Sequence, residues 1–224
     1  MGKVRCRAVA GADFLGQTVY SYYSAWEKDG TAQAIHDLLR AKVREQAGRS
    51  PEPSTAILDA QPVKTSCNPP ESTQGIDAGK KIKGRKRHIA TDTLGLLLAV
   101  LVTAASVQDN AGGQTLIGAL ATAHPAVARA WVDAGYKRTV ADEGARHGID
   151  VRVYTKQPGL KGFHATPRWP VERTFGWLML HRRLARDYEL PRYRGNSYYP
   201  AVPVIPSSHS SYQVEDFGYR GCAG

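Results

Sequence analysis

Two apolar runs in this chain, Thr55 to Leu58 and Ala128 to Val132, each stop on an aspartate: Asp59 in AILDAQ and Asp133 in AWVDAGY. Short apolar runs without polar alternation suit strands buried on both faces. Between them, Arg87 to Thr93 and Leu96 to Ala104 are also strand-like, divided by Leu94-Gly95 as a hairpin would be. Gly112 to His124 reads as a helix, Thr139 to His147 as a polar helix, and Asp150 to Tyr154 as a strand. A loop with Gly159, Gly162 and Pro167 leads into a helix from about Val171 to Tyr188. The expected order is β, β-hairpin, α, β, α, β, α, a mixed α/β sheet flanked by helices.

Ahead of this pattern, residues 17–47 predict two helices broken near Asp29-Gly30. Val19, Tyr22, Tyr23 and Trp26 form one apolar stripe, and Ile35, Leu38, Leu39 and Val43 a second. Gly48 is placed to stop the second helix, and the prolines of RSPEPS mark a linker. The pair is expected to be a small helical docking unit, with Tyr20, Tyr22, Tyr23 and Trp26 in ordinary helix packing. Residues 66–82 are expected to be a loop. The chain thus divides into a partial N-terminal helical region at 1–48, a core at 55–190 and an irregular tail at 191–224. In that tail Pro, Ser, Gly and Tyr dominate and helical periodicity ends, so disorder is expected.

Composition sets the surroundings. The 224 residues are 42% hydrophobic, enough for a packed core, and carry a net charge of +10 with a pI near 9.6. Such a balance favours an anionic partner through phosphate contacts. Cys6, Cys67 and Cys222 form neither a zinc pattern nor a disulfide framework, which suits a reducing cytoplasm. The start has no apolar signal-peptide core, and Leu94 to Ala105 is too short to span a bilayer, so no membrane partner is expected.

A third acid, Glu172 in WPVERTFGWL, falls in the first turn of the last predicted helix. Carboxylates at strand ends and on a facing helix can hold two divalent cations roughly 3.5–4 Å apart, the arrangement that clamps both oxygens of a phosphodiester displacement. Hard Mg²⁺ takes oxygen ligands and keeps several waters, so Asp59, Asp133 and Glu172 suffice without a His or Cys cluster. Asp77 and Asp92 read as turn residues, Asp109 as a helix cap, and Asp142 and Glu143 as solvated. His88 and His124 read as structural. Lys80, Lys81, Lys83, Arg85, Lys86 and Arg87 form the densest charge run, six cations in nine residues. It is either a solvated loop or, as favoured here, a non-specific phosphate contact. Arg173, His181, Arg182, Arg183 and Arg186 give the last helix a second basic set, and Arg173, next to Glu172, could touch a phosphate or pair with a carboxylate. Trp169 and Trp177 could stack on flipped bases, with helix packing the preferred reading.

The motifs AILDAQPVKT, GIDAGKKIKGRKRHIATDTLGLLLAV, WVDAGY and WPVERTFGWLMLHRRLARDYE, in that order over about Gln17 to Pro191, resemble those of bacterial insertion-sequence transposases of the DDE type. The resemblance implies a ribonuclease H-like core and movement of the element through DNA hydrolysis and strand transfer with Mg²⁺ or Mn²⁺. It matches Asp59, Asp133 and Glu172 to the three catalytic acids and metal ligands. It also implies DNA as partner, meaning terminal inverted repeats and target, in a bacterial cytoplasm at the nucleoid, and leaves homo-oligomerisation open. Where that family has further helices, this chain departs both before Asp13 and after Pro191, so truncation at the N-terminus and alteration at the C-terminus are expected. Two other readings follow: a catalytically inactive remnant acting only as a DNA-binding protein, and a ribonuclease H-like nuclease unrelated to transposition.

Overall fold

The computed structural model describes residues 12–67, 69–136, 138–155 and 166–188. Two helices come first, α1 (Ala12–Lys28) and α2 (Thr31–Gln46). Strands β1 (Thr55–Lys64), β2 (Gly75–Asp77), β3 (Ile82–Asp92) and β4 (Leu97–Ala104) follow. Then come α3 (Asp109–Ala123), β5 (Arg129–Val132), α4 (Arg138–Arg146), β6 (Asp150–Val153), α5 (Trp169–Met179) and the short α6 (Arg182–Ala185).

The long strand β3 organises the sheet. One edge pairs antiparallel with β1, in register from Ala56 opposite Asp92 to Lys64 opposite Gly84. Its other edge carries β4 and, nearer the start of β3, the short β2, both antiparallel. On the far side of β1 lie β5 and then β6, both parallel to it. Helices cover both faces of this mixed sheet, giving a ribonuclease H-like α/β fold.

Strand alternation sorts the core into two layers. Leu58 and Ala90 face α3 and α4, where they meet Leu116, Ile117, Leu120 and Val140. Ile57, Ile89 and Val100 face the other way and pack on Val171 and Phe175 of α5. Two glycines allow close approaches. A Cβ on Gly112 would lie 2.3 Å from the His88 ring, so α3 meets β3 without an intervening side chain there. Gly84, at φ +157, lies so near β1 that a Cβ would come within 2.0 Å of the Val63 carbonyl oxygen.

Several sequence expectations need correction. The run expected to end at Asp59 continues to Lys64, because β3 supplies pairing partners along nearly all of β1. The expected 66–82 loop contains β2 and the start of β3. The charge run starts in the turn at Lys80 and Lys81 and continues as strand, where Arg85, Lys86 and Arg87 are buried. Each finds a distant partner there. Arg85 pairs with Asp187 at 2.9 Å, Lys86 with Asp77 and Asp109 at 2.8 Å each, and Arg87 donates to the Gln61 side chain at 2.6 Å. Asp77 holds the β2–β3 turn as expected, accepting from the Lys80 backbone N–H, and also pairs with Lys86; Asp109 is an ion-pair partner of Lys86, and no side chain caps α3. The single helix expected to Tyr188 breaks after Met179, and the chain behind α6 is drawn onto the end of β1. There Ser66 donates to the Asp187 carbonyl and Asp187 to that of Lys64.

The helix pair forms as expected, with Gly30 at positive φ between the helices and Gly48 at positive φ ending the second. Arg49 donates back to the Arg44 carbonyl, closing the helix end. Its orientation reverses the expected packing. Val19, Tyr22 and Trp26 are exposed, and so are Ile35, Leu38, Leu39 and Val43. The buried residues of α2 are Arg40 and Arg44. Arg44 reaches across to Asp92, which is fully buried and also accepts the backbone N–H groups of Leu94 and Leu96. Asp92 thus anchors α2 as well as turning the hairpin. The Tyr20 side chain, Gly159, Gly162 and the tail at 191–224 lie outside the described residues.

Candidate active site

Asp59 follows Ile57 on β1, and strand alternation turns it to the same face, toward α5. Asp133 lies just past β5, beyond Trp131, which packs in that same layer. Glu172 stands in the first turn of α5, with Pro170 beside the helix start. Three acids far apart in the sequence are brought to one place by β1, its parallel neighbour β5 and the helix packed across them.

One side chain measures how close they come. Arg168, the residue that opens α5, places its Nη2 2.7 Å from Asp59 Oδ2, 3.9 Å from Glu172 Oε1 and 4.0 Å from Asp133 Oδ2. No two of these oxygens can therefore be farther apart than twice the longest of those distances. Backbone amides fix the two aspartates further. Ala60 donates to Asp59 Oδ1 at 2.7 Å, and Gly135 to Asp133 Oδ1 at 2.8 Å. Burial pushes the Asp59 carboxyl above its ordinary range. The guanidinium of Arg168 and the Ala60 N–H pull it back only in part, and the Asp133 charge adds to the rise.

The all-oxygen donor set, gathered around a cationic group, fits a hard divalent ion. As placed around Arg168, however, the carboxylates do not close into a ligand set. Among the described residues no group of three or more His, Cys, Asp or Glu side chains does so.

The basic residues divide. Lys80 is exposed, and its ammonium donates to the carbonyl of Ala60, next to Asp59, which puts it on the rim of the acidic cluster. Lys81 and Lys83 are exposed, with Lys83 against Glu71 at 2.6 Å. Arg85, Lys86 and Arg87 are held inside the fold, as described above. Arg173 reaches back from α5 to the β3–β4 turn. It donates to the Leu94 carbonyl at 2.6 Å and lies between the Trp169 and Trp177 rings, 4.6 Å from each centroid. Trp169, Arg173 and Trp177 recur every helical turn, forming a half-exposed ladder on α5. Arg182 and Arg183 are exposed on α6.

His88 and His124 belong to the framework. His88 bonds the Thr103 hydroxyl at 3.1 Å, and burial lowers its pKa to about 4. His124 meets the Leu98 carbonyl at 3.2 Å.

Two residues of this neighbourhood escaped the sequence reading. Arg168 stands four positions before Glu172, the spacing of neighbours on one helix face, and that spacing was the available signal. Tyr136, the last residue of WVDAGY, is buried under the cluster near Asp59 and Asp133, with its hydroxyl lacking a partner. Burial pushes that phenol well above its usual value, so it stays protonated.

A putative transposase for insertion sequence element IS402 from Burkholderia cepacia is 29% identical over 179 residues, covering 71% of this chain and 79% of that protein. The family model described as the transposase DDE domain matches residues 50–192, a stretch that holds β1 through α6 with all three acids and Arg168. The chain belongs to the transposase DDE domain family.

Proposed function

We propose that this protein cleaves and joins DNA at the ends of an insertion sequence, with Asp59, Asp133 and Glu172 as its catalytic carboxylates and ligands for Mg²⁺ or Mn²⁺. The observation that carries this reading is the convergence of the three acids on one guanidinium nitrogen within 4.0 Å. A pair of such ions supplies an activated oxygen nucleophile and neutralises the leaving oxygen.

The chain's own residues do the rest. Asp59 and Asp133 are fixed by backbone amides, so their free oxygens stay aimed at the cluster. Glu172 is the most exposed of the three, with its side chain 51% accessible, and faces incoming DNA. Lys80 reaches the Ala60 carbonyl beside Asp59, Lys81 and Lys83 are exposed in the segment that follows it, and Arg182 and Arg183 add positive surface on α6. Such contacts position the phosphodiester backbone without reading its sequence. Arg85, Lys86 and Arg87 support this role indirectly, by holding β3 in place.

The test is cleavage and strand transfer on duplexes carrying the DNA that flanks the protein's own reading frame, with Mn²⁺ present. The wild-type chain should cut at the element end, and Asp59→Ala, Asp133→Ala and Glu172→Ala should each lose at least about a hundredfold in rate. Binding of the same duplex without cutting, unchanged by the three substitutions, would identify a DNA-binding remnant. Cutting of generic DNA or RNA without end preference would identify an unrelated nuclease.

A further inference from the structure

Arg168 is the charged residue of the cluster to which the proposed function gives no task. Three carboxylates bring up to three negative charges into one small volume, and one guanidinium faces them all. Its side chain and that of Asp59 are 17% and 16% accessible, so water screens this pair poorly. Like charges at this depth need a counter-charge to stay together.

The grip of Arg168 is nevertheless incomplete. Its close contact with Asp59 runs through Nη2 alone, the other two acids stand at 3.9 and 4.0 Å, and its Nε is buried without a partner. A guanidinium committed permanently to a carboxylate is commonly bidentate. This one is shared among three acids through a single nitrogen. It also sits at the first residue ahead of α5, where a long side chain can swing away while the helix stays packed through Val171 and Phe175.

Geometry makes the guanidinium and an ion competitors. An Mg²⁺ ligand oxygen lies about 2.0–2.1 Å from its ion. Asp59 Oδ2 already has a nitrogen at 2.7 Å, on the side toward the other two acids. An ion bridging these oxygens and a cationic nitrogen cannot share that space.

We propose that Arg168 is a resident counter-ion that gathers the metal-free site and is displaced from Asp59 when a divalent cation binds, so that the two occupancies exclude each other. The inference rests on the reading of Asp59, Asp133 and Glu172 as ligands. It makes Arg168 a positioning residue: it keeps the carboxylates converged without the ion and sets the ion concentration at which the site loads.

The experiment uses the full chain as wild type, Arg168→Gln, Arg168→Lys, Asp59→Asn and Arg129→Gln, with circular dichroism confirming the fold. Mn²⁺ binding is followed by the paramagnetic resonance of the free ion, and thermal melting is recorded with and without Mn²⁺. Without the ion, Arg168→Gln should melt below wild type. With it, Arg168→Gln should bind Mn²⁺ about tenfold more tightly, equivalent to about 1.4 kcal/mol, and gain more melting temperature than wild type does. Arg168→Lys, with charge but no guanidinium reach, should fall between the two. Asp59→Asn should bind weakly. Arg129→Gln, which removes a half-exposed cation from the start of β5, should match wild type.

A folded Arg168→Gln with unchanged or weaker Mn²⁺ binding would overturn the inference and leave the proposed function standing. Tightening of equal size in Arg129→Gln would overturn it too, by reducing the effect to general charge loss. Absence of Mn²⁺ binding in every protein would bring down the metal-ligand reading along with it.

Discussion

Asp59 is held where its ionised form is costly. Its carboxyl titrates above 3.8, its ordinary value, chiefly through burial. The folded state therefore keeps a proton that the unfolded chain has already lost as pH rises. Stability on this account is full below the unfolded value and declines as pH climbs through the folded one. Asp59→Asn should remove that decline and be more stable than wild type at neutral pH, as read from urea denaturation across a pH series. A variant less stable at neutral pH, with the decline intact, would contradict the assignment. At this scale Asp59, Asp133 and Glu172 stood out through the motifs AILDAQ, WVDAGY and WPVERTFGWL and their resemblance to a known family, since strand-end or helix-start position alone suits an ordinary cap or surface charge. Arg168 stayed hidden because an arginine one turn from a glutamate reads as an ordinary surface ion pair, and only the tertiary fold adds two aspartates to it.

At the scale of elements, α2 presents arginines to the sheet and leucines to solvent. Asp92→Ala should strip Arg44 of its buried partner and free the Leu94 and Leu96 amides, at a cost of about 3–5 kcal/mol. The double change Leu38→Gln with Leu39→Gln should cost no more than about 0.5 kcal/mol per site, because both side chains already face water. Chemical denaturation decides both, and a reversal of the two magnitudes would refute this orientation. The helices themselves were legible from their 3.6-residue apolar spacing and from Gly30 and Gly48. Their facing was not, since the partner of Arg44 lies 48 residues away. The strand β3 was misread for the same reason. Arg85, Lys86 and Arg87 are charged enough to suggest a solvated loop, and their partners Asp187, Asp109 and Gln61 become neighbours only after folding.

For the molecule as a whole, the chain carries a net charge of +10, and two populations can be told apart among its described cations. Some are exposed, at Lys80, Lys81 and Lys83 and on α6, and others are consumed inside the sheet. Replacing Lys80, Lys81 and Lys83 by Ala should flatten the dependence of DNA affinity on salt, by roughly 0.9 in logarithmic slope for each phosphate that is no longer neutralised. Replacing Arg85 and Lys86 should instead lower stability and leave that slope alone in whatever protein remains folded. An unchanged slope in the triple lysine variant would remove the β2–β3 turn and the start of β3 from the DNA surface. The architecture was legible as alternating strands and helices, and β2, the true length of β1 and the break after Met179 were not. Each of those depends on pairing with a distant strand and leaves no local signal. The most direct measurement of the central claim is an anomalous diffraction map from crystals grown in saturating Mn²⁺. The account predicts a peak bonded to Asp59 and to at least one of Asp133 and Glu172, with the Arg168 guanidinium withdrawn from Asp59 Oδ2. A map without a peak there, with Arg168 still in place among the three acids, would contradict it.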